Sequence, residues 1–193
     1  MPALDPSDAL IVVHVQRDFL PGGALAVGEG DAVVEPLNRW IDRCRAAGAR
    51  VFATRDWHPP DHCSFEAQGG PWPAHCVAGT AGAEFAASLR LPGDCRVISQ
   101  ASDPAREAYS GFDGTELLTQ LQRAGSRRLW IGGLATDYCV RATVLDAVKE
   151  GFETHVLTEA IRPVEVHPGD GRRALEEMRA AGAIVEEPAG NER

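Results

Sequence analysis

Ala9-Leu10-Ile11-Val12-Val13 is an unbroken apolar run that stops at His14. So short a run, with no polar alternation, reads as a strand buried on both faces, as inside a parallel sheet. Downstream, Val33, Val34, Leu37, Trp40 and Ile41 recur at helical spacing within residues 32–47, and Gly48 supplies the stop signal. Further strands are expected at 50–54, 95–99, 128–131, 153–157 and 183–185. Helices are expected at 115–124, 139–149 and 170–181, each closed by a glycine: Gly125, Gly151 and Gly182. Strand–helix alternation at this spacing implies βαβ units, hence an α/β fold whose mostly parallel sheet is covered on both faces. Functional side chains are then expected at the carboxyl ends of the strands. His14, Asp56, Gln100 and the segment before Cys139 fall there.

The chain has 193 residues, enough for one domain spanning 1–193 with a sizeable core. Its 44% hydrophobic and 24% charged content is ordinary for a soluble protein. No apolar run approaches the ~20 residues of a membrane-spanning helix, and the first residues lack the layout of a secretory signal. A cytoplasmic location with no membrane partner is the expectation. The formal charge of −9 repels polyanions, so nucleic acid is not an expected partner. Nothing in the sequence marks an interface, although a homo-oligomer is compatible with it. Five cysteines, at 44, 63, 76, 95 and 139, contain no C-x-x-C pair and read as free thiols.

Residues 55–82 form a long stretch rich in Pro, Gly and His, and loops of that length are usually functional. Asp56-Trp57-His58 sets a carboxylate and an imidazole two residues apart, so both point to one side. His62 and His75 follow within the same proline-stiffened loop. Such a mixed Asp/His set suits one divalent metal ion, with zinc favoured and iron or manganese as alternatives. Any one of these histidines alone would read as a loop or core residue. His155 and His167 stand apart and read as structural or exposed. Cys63 and Cys76 neighbour the loop ligands but read as packing residues.

Gly132-Gly133-Leu134-Ala135-Thr136-Asp137-Tyr138-Cys139-Val140 follows a buried strand and opens a helix. A thiol at a helix N-terminus is biased toward thiolate, and unpaired amides there can cradle an oxyanion. The other reading of Cys139 is a small buried hydrophobe.

The order of these motifs carries a resemblance. Val13-His14-Val15-Gln16-Arg17-Asp18-Phe19 with Pro21-Gly22-Gly23-Ala24-Leu25, then Asp56-Trp57-His58-Pro59, resemble motifs of the nicotinamidases. So do Trp72-Pro73-Ala74-His75-Cys76-Val77, Tyr109-Ser110-Gly111-Phe112 and 133–140. Nicotinamidases belong to the isochorismatase-like cysteine-hydrolase superfamily. The resemblance spans nearly the whole chain and implies a three-layer α/β/α sandwich. It implies hydrolysis of a small cyclic amide, nicotinamide or similar, to the acid and ammonia, as in NAD salvage. Cys139 would be the nucleophile, forming a thioester. A cis peptide before Ala135 would aim the Ala135 and Cys139 amides at the oxyanion. Asp56, His58 and His75, with His62 as a further ligand, would hold the metal. Phe19 and Trp72 would clamp the ring, with Tyr109 and Gln16 also contacting substrate.

Two positions depart from the pattern, which has Asp at His14 and Lys at Gln100. Asp plus Lys carries no net charge, and neutral His plus Gln carries none either, so the two changes belong together in a dry pocket. His14 is expected to serve as the base for Cys139. Gln100 would donate to the oxyanion or orient His14. The competing expectation is a homologue disabled at these positions, by nature or by design, that binds a heteroaromatic amide or a protein partner. A vinyl-ether hydrolase of the isochorismatase type, which lacks the metal cluster, is a weaker one.

Overall fold

The computed structural model describes residues 2–186. Six strands form one sheet in the order β3-β2-β1-β4-β5-β6. They are β1 Asp8–Val13, β2 Arg50–Asp56, β3 Arg96–Gln100, β4 Arg128–Leu134, β5 Glu153–Arg162 and β6 Ile184–Glu186, and every pairing is parallel. Four helices connect them: α1 Val34–Ala46, α2 Leu117–Arg123, α3 Arg141–Lys149 and α4 Asp170–Ala181. The apolar run that opens the sequence is the central strand, buried along its whole length between β2 and β4.

Alternate β1 side chains serve opposite layers. Leu10 and Val12 pack with Leu37, Trp40 and Ile41 of α1. Ala9, Ile11 and Val13 pack with Leu117 and Leu121 of α2, Val144 and Ala147 of α3, and Ala174 and Met178 of α4. This is the expected α/β/α sandwich. Among the described residues no helix is long and apolar enough to cross a membrane.

Strand order reverses at β1. The chain winds outward through β2 and β3, then returns to lay β4 on the other side of β1. That switch point leaves a crevice above the carboxyl ends of β1 and β4, where α/β sheets bind ligands. Gly133 permits the close approach beneath it. Its φ is +128°, and a Cβ there would stand 2.0 Å from the Val13 carbonyl oxygen.

Several elements differ from expectation. The glycine pair 132–133, which reads as the end of a strand, is instead inside β4. The strand continues to Leu134 because these residues offer no side chain to block its neighbours. β5 runs on to Arg162 past a register irregularity opposite Ile131 and Gly133. The third helix begins at Arg141, preceded by a π-helical turn, Thr136–Val140, that contains Cys139. The long loop after β2 is tied down by isolated bridges, His58 to Val77 and Phe65 to Trp72.

At the opposite end of the sheet, Asp8 is fully buried. It accepts hydrogen bonds from the Arg128 guanidinium (2.7 Å from Nη2), from Trp130 Nε1 (2.9 Å) and from the Asp5 amide (2.6 Å). Burial raises its pKa, but these donors outweigh it and hold the carboxyl below its ordinary 3.8. The carboxylate therefore stabilises the fold fully above about pH 3.8, and that stabilisation is lost as pH falls through the depressed folded value. Asp8→Asn should cost about 1–3 kcal/mol in urea unfolding at pH 7. Its deficit relative to the unaltered chain should shrink below pH 3.8; a pH-independent deficit would contradict the assignment.

Candidate active site

The crevice is built from five short stretches that the sheet brings to one rim. Phe19, Leu25 and Val27 come from the segment after β1, and Asp56 from the end of β2. Trp72, His75 and Tyr109 come from loops, and Ala135, Tyr138 and Cys139 from the π-helical turn. With Val164 they line a narrow space of about 40 Å³. Its walls are aromatic: Trp72 Nε1 donates to the Tyr109 hydroxyl at 3.1 Å, and Tyr138 packs edge-on against Trp72. Phe19 lies on His75, with ring centroids 5.6 Å apart. Among the described residues no Lys or Arg lines the space.

Asp56, His58 and His75 bring one ligand atom each to within 4.8 Å of one another. Hydrogen bonding fixes the tautomers. His58 Nδ1 lies 3.1 Å from the Ala101 carbonyl, and His75 Nδ1 lies 2.8 Å from the Pro73 carbonyl. A carbonyl can only accept, so both Nδ1 atoms carry the proton and both Nε2 atoms present lone pairs. His58 Nε2 stands 3.7 Å from Asp56 Oδ2. Backbone acceptors behind imidazole ligands are the usual support of a metal site, and the donor set fits one divalent ion. Burial, then the neighbouring His75 and His62, push His58 down to about 3, which keeps its lone pair available. Burial pushes Asp56 up to about 7, with His75 and His62 opposing and Glu107 adding to the rise.

His62 stands outside this group, against the expectation that it is a further ligand. Its Nδ1 pairs with Ser64, 2.7 Å from the hydroxyl and 3.3 Å from the amide, so it is an acceptor. Its Nε2 donates to the Arg106 carbonyl at 3.1 Å. With both nitrogens engaged, the ring packs 4.3 Å from His58 and holds it in place.

Gln16, expected to contact substrate, is fully buried and does not line the crevice. Its amide clamps Asp56 instead: Oε1 accepts from the Asp56 amide and Nε2 donates to the Asp56 carbonyl, both at 2.8 Å. Asp18 acts similarly, accepting from the Cys76 amide at 2.7 Å, beside His75. The polar residues after β1 thus position the ligands.

His14 ends β1 at φ 47° with no exposure to solvent. One of its ring nitrogens, Asp56 and the Cys139 sulfur converge within 4.8 Å. Nδ1 is 3.5 Å from Asp56 Oδ2, and neither nitrogen forms a hydrogen bond among the described residues. Burial drives its pKa down to about 4, opposed by the Gln100 amide and the Glu107 charge. Gln100 Nε2 donates to the Ala108 carbonyl at 2.9 Å, and the residue does not line the crevice. The Gln100 amide nitrogen is thus engaged with the backbone, and no hydrogen bond joins the residue to His14 among the described residues. The Leu134–Ala135 peptide is cis, and Ala135 and Cys139 both face the crevice.

The Cys139 thiol differs from the thiolate expected of a helix terminus. Burial first, then the charges of Asp56 and Glu107, hold it well above its ordinary 9.0. At neutral pH the thiol and the imidazole beside it are therefore both neutral.

His155 bridges Glu153 and Glu186 at 2.9 and 2.7 Å, a structural role, while His167 is exposed. Cys63 and Cys76 join no ligand group among the described residues. Sequence reasoning passed over Tyr138, Val164 and Glu107. Tyr138 adjoins Cys139 and could have been found from that neighbour alone.

Comparison with known proteins follows the same lines. The isochorismatase domain model matches residues 8–188. A nicotinamidase of Escherichia coli (strain K12) is 39% identical over 201 residues, covering 93% of this chain and 94% of that protein. The pyrazinamidase of Pyrococcus horikoshii, solved in complex with zinc, is 51% identical with a TM-score of 0.91, covering 95% of this chain and 100% of that one. PnC1 from L. infantum, solved in complex with nicotinate, is 34% identical with a TM-score of 0.87, covering 96% of each chain.

Zinc binding should release a proton at pH 6, because Asp56 is protonated below about 7 and must ionise to bind the ion. Affinity should fall as the solution is acidified below that value, by up to about tenfold per pH unit. Calorimetry in buffers of different ionisation enthalpy reads the release directly; an affinity flat from pH 8 to 5.5 would contradict it. In the same assay Asp56→Ala should abolish binding. His62→Gln should retain it at about 10–100-fold lower affinity.

Proposed function

The chain belongs to the isochorismatase family, and we propose that it is a metal-dependent amidohydrolase. Its substrate is nicotinamide or a similar small cyclic amide, and its products are the acid and ammonia. The observation that carries this reading is the convergence of the Cys139 thiol, the His14 imidazole and the Asp56/His58/His75 group on one aromatic-walled crevice. The relatives that act on nicotinamide and pyrazinamide, one of them solved with zinc, support it.

A divalent ion, zinc by preference, would be held by Asp56, His58 and His75 and supply a positive centre that anchors a ring nitrogen. Phe19 and Trp72 would clamp the ring, with Tyr109 and Tyr138 closing the wall. The carboxamide would then face Cys139. Because thiol and imidazole both rest neutral, His14 takes the thiol proton as the sulfur attacks the carbonyl carbon, and no preformed ion pair is required. The Ala135 and Cys139 amides stabilise the oxyanion. The carbon–nitrogen bond breaks as His14 returns its proton to the leaving nitrogen, giving ammonia and a thioester. Water, deprotonated by His14, attacks the thioester. The acid forms and the sulfur recovers its proton.

His14 and Gln100 add no fixed charge at the two positions where the nicotinamidase pattern balances Asp against Lys. Gln100→Lys alone places an unbalanced ammonium in a buried site and should lower kcat. Combining it with His14→Asp should recover activity. If the single change performs as well as the double, the two positions are uncoupled.

Zinc-loaded protein should release ammonia from nicotinamide, and mass spectrometry should trap a thioester on Cys139. Cys139→Ala should lower kcat by at least about 10³-fold. His14 loses its base form only below about pH 4, so the acid limb of kcat/KM attributable to it should lie well under the ordinary imidazole range. Tight nicotinamide binding with no turnover across a panel of small cyclic amides would show a binding homologue instead.

A further inference from the structure

The first ion does not exhaust the donors in the crevice. His14, Cys139 and Asp56 also bring one ligand atom each to within 4.8 Å of one another, and Asp56 Oδ2 stands 3.5 Å from His14 Nδ1 and 3.7 Å from His58 Nε2. We propose that these three residues form a second, thiophilic metal site that shares Asp56 with the first, and that its occupation by zinc switches the enzyme off.

The donor types select the ion. Sulfur, imidazole nitrogen and carboxylate oxygen together suit zinc, cobalt(II) or cadmium and not magnesium or calcium. Around a tetrahedral zinc with bonds of ~2.0–2.3 Å, neighbouring ligand atoms lie about 3.3–3.8 Å apart. His14 Nδ1 and Asp56 Oδ2 already stand at 3.5 Å. The independent sign of a ligand is His14 itself. It is fully buried, yet both ring nitrogens lack a hydrogen-bond partner among the described residues. Buried polar atoms are rarely left so without a bound water or ion to satisfy them.

Electrostatics favours a cation there. Among the described residues no Lys or Arg lines the crevice, Gln100 beside His14 is neutral, and Glu107 adds negative potential at His14, Asp56 and Cys139. Asp56 would be the ligand common to both ions, and two-metal sites hold their ions about 3.5–4 Å apart. Mutual repulsion makes the second ion the weaker, so occupation is sequential. No redox step is involved. The metal–sulfur bond replaces the sulfur–hydrogen bond of Cys139, and the proton leaves to solvent. The sulfur is then unable to attack a carbonyl, and His14 can no longer accept a proton. Inhibition rests on the reading of Cys139 as nucleophile; binding of the ion does not.

Titration of the metal-free protein with cobalt(II) separates the two. Two ions per chain should bind, and only the second should bring thiolate-to-cobalt charge-transfer absorption. Cys139→Ser should abolish that absorption while keeping the first ion. His14→Ala should weaken the second ion by at least about tenfold, the least that loss even of an outer-shell partner costs. In parallel, nicotinamide hydrolysis should rise with the first equivalent of zinc and fall with the second. One ion per chain with no thiolate band would overturn the proposal even if hydrolysis is robust. A thiolate band unaffected by His14→Ala would overturn it too. Two ions with the band but no hydrolysis at any loading would leave the site standing and refute the proposed activity.

Discussion

The clamp of Gln16 on Asp56 is the constraint on which the rest of the crevice depends. One buried side-chain amide holds both backbone polar groups of the residue that ends β2. That fixes where the carboxylate points, and among the described residues the carboxylate is the group common to both convergent sets of donors. It meets imidazole lone pairs exposed by backbone carbonyls. It also meets a thiol, and an imidazole whose ring nitrogens have no hydrogen-bond partner among the described residues. Freed from Gln16, the Asp56 backbone would leave buried donors and acceptors unpaired, at about 1–3 kcal/mol each, and the shared ligand would lose its aim.

The sheet makes that clamp possible. β1 and β2 run parallel in register, so the segments leaving their carboxyl ends, with Gln16 in one and Asp56 in the other, meet without any long excursion. β4 lies against the other edge of β1 because Gly133 permits contact with the Val13 carbonyl. Cys139 is thereby delivered beside His14. The switch in strand order and one glycine account for the meeting of groups that lie 125 positions apart in the chain.

Much of this was legible in the amino-acid order, for physical reasons. A short apolar run with no polar alternation favours a strand buried on both faces, and helical periodicity with glycine stops marks the covering layers. Residues such as His58, His75 and Cys139 announce their chemistry by type. What escaped was pairing. His62 has the same ligand-capable ring as His58, and only its saturation by Ser64 and Arg106 sets it apart. Gln16 sits in a motif that suggested substrate contact, but its two-sided amide is spent on Asp56. The thiol of Cys139 was expected to ionise at a helix terminus. Burial outweighs the dipole, and the π-helical turn places it inside the site and not at its mouth. Glu107 gave no signal at all, since its influence is a charge acting across space.

Neutrality ties these features together. His14 and Gln100 bring no fixed charge of their own to the dry surroundings of the nucleophile, which an incoming amide or an incoming cation then polarises. The most direct measurement of this account is anomalous diffraction at the zinc edge from crystals soaked with nicotinamide. The account predicts an ion on Asp56, His58 and His75, with His62 still bonded to Ser64 and Arg106, and the carboxamide carbon facing the Cys139 sulfur beside His14. An ion bound by His62, or a sulfur turned away from both His14 and the amide, would contradict it.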